Sequence, residues 1–169
     1  MDLIYPVLLV ESLNGAGAKS TMALEDESFQ ENVQELLKLL SAIKSNSGEV
    51  TQVEKCMSSL ADSFDDEVDV AVEALESVEA HSTVLSAMQH HFRNFKIQLH
   101  GSYMLLRLIE LSPKTKSELQ EQPEAQRFIL RIMAKYADRT CQVVGCKIIS
   151  ALCTSARTRK EALSMGAVD

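Results

Sequence analysis

Residues 141–154 read CQVVGCKIISALCT, and residues 97–110, forty-four positions earlier, read IQLHGSYMLLRLIE. In the later stretch Cys141, Gly145, Ile148, Ile149 and Leu152 fall on one face of a helix. Cys146 and Cys153 widen the apolar arc, as a helix packed on two sides requires. In the earlier stretch Gly101, Met104, Leu105 and Leu108 stand where the later one has Gly145, Ile148, Ile149 and Leu152. A glycine inside a helix costs about 1 kcal/mol relative to alanine. Its recurrence at one place in two copies predicts close contact with a neighbouring helix.

The same offset carries Val84, Leu85 and Met88 onto Phe128, Ile129 and Ile132, and Lys116 and Leu119 onto Lys160 and Leu163. An offset of 48 carries Cys56, Met57 and Leu60 onto Met104, Leu105 and Leu108. The period is therefore three helices. A unit of that size cannot bury its apolar faces alone and must stack on its neighbours. Capping boxes at Ser28/Glu31, Thr51/Glu54 and Thr158/Glu161 mark three helix starts. Further signals at Asp65, Ser82, Ser112-Pro113, Pro123 and Thr140 mark others. They predict helices over 29–44, 50–63, 66–79, 83–93, 96–111, 113–121, 123–137, 141–154 and 158–165.

Composition agrees with an all-α reading. The chain has 169 residues, no Trp, 5% aromatics and only three Pro, which leaves few strand formers and few turn signals for a sandwich or barrel. Residues 1–84 carry 4 Lys and Arg against 17 Asp and Glu, and residues 85–169 carry 13 against 7. The molecule thus has an acidic half and a basic half. The net charge of -7 argues against nonspecific nucleic-acid binding, which needs an excess of cations, and no specific nucleic-acid partner is expected. Cys56, Cys141, Cys146 and Cys153 sit in apolar helical stretches and read as small core residues in a reducing compartment, the cytoplasm or nucleus. No run approaches the length of a membrane span.

Several stretches together resemble armadillo repeats: RKEALSMGAVD at 159–169, FILRIM at 128–133, VGCKIISALC at 144–153 and VEKCMSSLA at 53–61. The resemblance implies a right-handed α-α superhelix of about three armadillo-like repeats, near 28–80, 82–122 and 123–169, behind an irregular segment over 1–27. It also implies a noncatalytic protein-binding scaffold whose third helices line a concave groove. By position the groove residues are Lys55 and Ser59, then Tyr103 and Arg107, then Lys147 and Ala151. These differ from the Trp and Asn ladder of the import branch. Cations one repeat apart are similar to the catenin type of groove, which implies an extended acidic partner.

Other features have simpler readings. The acids Asp62, Asp66, Asp69, Glu73 and Glu76 flank an apolar strip and read as its solvated face. Arg127, Arg131 and Lys135 form a second basic strip beside His91 and Arg93. It reads as a solvated ridge, with a phosphopeptide or an anionic membrane as the functional alternatives. VLLVESLNGAGAKST at 7–21 looks like a phosphate-binding loop, but Leu13 and Ala18 occupy the glycine positions. No metal-ligand spacing, cofactor motif or catalytic signature is present, so neither metal nor cofactor nor enzyme activity is expected. The remaining alternative is an assembly role, in which the chain is an end-piece of a longer repeat array and stacks through its basic C-terminal end.

Overall fold

The computed structural model describes residues 27–63, 72–154 and 156–164, and every element among them is a helix. They are α1 (Glu27–Ser45), α2 (Val50–Ser63), α3 (Val72–Ser77), α4 (Ala80–His90), α5 (Phe95–Leu111), α6 (Pro113–Gln120), α7 (Pro123–Lys135), α8 (Arg139–Leu152) and α9 (Ala156–Ser164). The nucleotide-loop candidate and most of the acidic stretch lie outside the described residues.

Helix ends follow from local chemistry, though several differ from expectation. The Ser112 hydroxyl accepts from Thr115 N at 2.8 Å, and Pro113 opens α6 at the position where a missing N–H costs nothing. Asn94 and Asp138 cap α5 and α8 in the same way, accepting from Ile97 N at 3.1 Å and Cys141 N at 2.9 Å. By contrast Ser28, Thr51, Ser82, Thr140 and Thr158 lie inside their helices. Thr51 follows a helix already opened by the Glu49 carbonyl, which accepts from Val53 N, and Glu54 is engaged elsewhere. Thr158 is buried in the first turn of α9. The α3–α4 link turns at Glu79, a non-glycine residue in the left-handed region (φ 51°), whose carbonyl starts α4 by accepting from Ser82 N and Thr83 N.

Repetition is written in hydrogen bonds. The bond from Asn46 N to the Ala42 carbonyl recurs as His91 N to Ala87 and Tyr136 N to Ile132, each 45 residues on. The first carbonyl of α2, α5 and α8 comes from Glu49, Asn94 and Asp138, offsets of 45 and then 44. Gln98 Nε2 donates to the Met88 and His91 carbonyls at 2.8 and 3.0 Å, and Gln142 Nε2 donates to the Met133 and Tyr136 carbonyls at 2.6 and 2.8 Å. Each glutamine donates to two carbonyls at the end of the preceding helix, and the His91 carbonyl accepts from Asn94 N as well. Glu76 accepts from the Ser112 hydroxyl, and Gln120 donates to Thr154 Oγ1 at 2.9 Å. These last pairs tie α3 to the start of α6, and the end of α6 to the end of α8.

The helices form an uninterrupted apolar core. Helices α2, α5 and α8 pack side by side, while α1, α4 and α7 each pack on the helix that immediately follows, α2, α5 and α8 respectively. Met57, Met88, Met104, Leu105 and Leu108 are fully enclosed at the centre. At Gly101 an added Cβ would stand 2.5 Å from Met88 Cγ, and at Gly145 it would stand 2.5 Å from Met133 Cγ. The two glycines therefore admit equivalent methionines at equivalent helix crossings.

Candidate functional site

The layer formed by α2, α5 and α8 carries every expected groove residue. Lys55 and Lys147 are exposed, and Ser59, Tyr103, Arg107 and Ala151 are half-buried. Arg107 Nη1 donates to Glu110 Oε2 at 3.1 Å, so one face of its guanidinium is already paired. Its Nε and His100 Nδ1, two turns earlier on α5, are buried and have no hydrogen-bond partner.

The first rung of this ladder is misaligned. Counted from the carbonyls that open each helix, Tyr103 and Lys147 are both nine residues in, while Lys55 is six residues past Glu49. The counterparts of Tyr103 and Arg107 on α2 are Ser58 and Asp62, not Lys55 and Ser59. Three residues correspond to about 300° of rotation and about 4.5 Å of rise. Lys55 therefore sits almost one turn nearer the start of its helix than the matching rungs. The offset of 48 preserves the apolar pattern because three residues nearly complete a turn, but the backbone fixes it at 45.

Between α2 and α5 lies a polar contact that the sequence did not announce. Lys96 Nζ donates to Glu54 Oε1 at 2.8 Å and Asn94 Nδ2 donates to Glu54 Oε2 at 3.0 Å. The hydrogen bonds from Lys96 and Asn94 hold the Glu54 carboxyl below its ordinary value, and the bond to Glu54 raises the Lys96 ammonium. With Glu54 neutralised and Asp62 exposed, the layer runs from mixed charge at α2 to cationic at Arg107 and Lys147.

No family model matches the chain, and no curated protein or solved structure is similar enough to match it.

The second basic strip lies on α7. Arg127 Nη1 donates to Glu124 Oε1 at 2.6 Å. Arg131 and Lys135 instead close over Phe92, in the loop that joins α4 to α5, with Cζ 5.0 Å and Nζ 4.2 Å from the ring centroid. Lys135 Nζ and the Tyr136 hydroxyl both donate to the Phe92 carbonyl, at 3.2 and 2.9 Å. Two of the three strip residues thus join one unit to the next. Burial pushes the Tyr136 hydroxyl up, with the nearby Cys141 thiol a smaller cause, and burial likewise raises the Cys141 thiol.

A cleft of about 280 Å³ between α1 and α4 is lined by Lys44, Ser47, Glu79, Ser82, Thr83 and Ser86 over Ile43 and Ala87. Among the described residues no three His, Cys, Asp or Glu side chains gather within metal-ligating reach, and no helix is long and apolar enough to cross a membrane.

Proposed function

We propose that the chain is a noncatalytic protein-binding scaffold of the armadillo-like kind, a right-handed α-α superhelix of about three repeats. Its partner is an extended acidic segment lying across the third helices. The observation that carries the reading is the packing of α2, α5 and α8 side by side, with Tyr103, Arg107 and Lys147 on that layer.

Neighbouring helix axes lie about 8–10 Å apart, and an extended chain of the polyproline II kind advances about 3.1 Å per residue with about three residues per turn, which returns every third side chain to the same face. Acidic side chains spaced about three residues apart would therefore meet successive helices. Arg107 and Lys147 supply the charge pairing, Tyr103 an amphipathic contact between them, and Ser59 a hydroxyl at the α2 side. Lys55 is a weaker contributor because of its displaced rung. Four free thiols, one of them raised by burial, suit a reducing cytoplasm or nucleus.

The test is fluorescence anisotropy with labelled extended peptides bearing Glu or Asp at every third position. Arg107→Glu combined with Lys147→Glu should weaken binding at least about tenfold, and Lys55→Glu should weaken it less. Affinity should fall as salt rises. Equal binding by the charge-reversed protein, or preference for basic peptides, would overturn the proposal.

A further inference from the structure

We infer that the outer side of α7 holds a second docking site, separate from the third-helix layer, which recognises a phosphorylated side chain on a partner protein through Arg131 and Lys135. Both cations are exposed, yet both are held in place by the same aromatic ring. A cation over an aromatic face is attracted by the ring's quadrupole. Phe92 therefore pre-arranges two like charges that would otherwise separate. The ring is itself fixed: it packs on Phe128 with centroids 5.9 Å apart, and its carbonyl accepts from Tyr136.

Neither cation is neutralised. Among the described residues no carboxylate lies within ion-pair distance of Arg131, Lys135 or the adjoining exposed Arg93. The nearest acids along the chain are committed elsewhere, Glu124 to Arg127 and Asp138 to the start of α8. A carboxylate would match one of these charges. A phosphoryl group carries between one and two negative charges at neutral pH and three acceptor oxygens, which suits a guanidinium fork beside an ammonium.

The surroundings favour a protein partner over a lipid surface. The large apolar side chains that stand exposed, Val50, Val78, Val143 and Leu163, are not on α7, and Phe92 is occupied by its cations.

The experiment titrates the full chain against a degenerate phosphoserine peptide pool, the same pool without phosphate, inorganic phosphate, and vesicles containing phosphatidylserine. Preference for the phosphorylated pool is expected. Arg131→Gln with Lys135→Gln should cost at least about tenfold, and Phe92→Leu should cost a smaller factor by releasing the cations. Arg107→Glu with Lys147→Glu should leave this binding unchanged, which separates it from the groove reading. Circular dichroism of each variant confirms that the helices persist. Equal retention of both pools, an unaffected double glutamine variant, or binding confined to inorganic phosphate or to vesicles would each overturn the inference.

Discussion

Replacing Gly101 by alanine sets two effects of known sign against each other. The change gains about 1 kcal/mol of helix propensity. It also places a methyl 2.5 Å from Met88 Cγ, 2.6 Å from its Sδ and 3.0 Å from Met57 Cε. Carbon atoms prefer about 3.5–4.0 Å, so the intruding carbon overlaps Met88 by about 1 Å. Met88 and Met57 are fully buried, and the crowded Met88 carbon is close to its backbone rather than at the free end of the side chain. Relief must then come from moving the helices apart, at the upper end of the 1–3 kcal/mol typical of overpacking. The net expectation is a loss of about 2 kcal/mol. With a urea slope of about 2 kcal/mol per M, the unfolding midpoint drops by about 1 M. Gly145→Ala meets Met133 at the same distances, but Met133 is half-buried and has room to swing outward. There propensity and repacking nearly cancel, at about 0 ± 1 kcal/mol. Urea denaturation followed by circular dichroism reads both variants. Stabilisation by Gly101→Ala, or equal losses at the two sites, would refute the close-crossing argument.

Three further outcomes follow from contacts already described. Ser112→Ala removes both the cap of α6 and a bond to Glu76, and should cost about 1–2 kcal/mol in thermal or urea unfolding. The Glu54–Lys96 pair stabilises the fold while Glu54 is ionised. Because its folded pKa is depressed, that contribution is present above the unfolded value and disappears as the pH falls through the lower folded one. Glu54→Gln should accordingly make stability less dependent on pH in the acid range, as measured by urea midpoints at successive pH values. Iodoacetamide at mildly alkaline pH should label exposed Cys146 first and reach Cys141 and Cys56 only when the protein opens, as mass spectrometry of digested samples would report.

How legible the molecule was depended on the range of the interaction. The apolar face of α8 and the paired glycines were readable because they express helical periodicity within a dozen residues. Ser112-Pro113 and Pro123 were readable because they restrict the backbone locally. Threonine signals misled at Thr140 and Thr51, where a competitor, the Asp138 carboxylate or the Glu49 carbonyl, opened the helix earlier. The Lys55 rung rests on an offset of 48 while the helix-end bonds recur at 45, and a three-residue slip barely disturbs a pattern that repeats every 3.6 residues. Only the backbone bonds discriminate 45 from 48. The contacts of Glu54 with Lys96 and of Phe92 with Arg131 and Lys135 join residues about forty positions apart. No local pattern records such pairs, which is why α7 read as an ordinary solvated ridge.

The glutamine brace seals its carbonyls with a side chain from the same module, so adding or excising a whole module leaves none of those carbonyls stranded. The Phe92 clasp behaves differently, since its ring and its cations belong to successive modules. A transplanted module would join cleanly only where its predecessor offers an aromatic ring at the seam. Grammar within a module is thus permissive, and grammar between modules is selective.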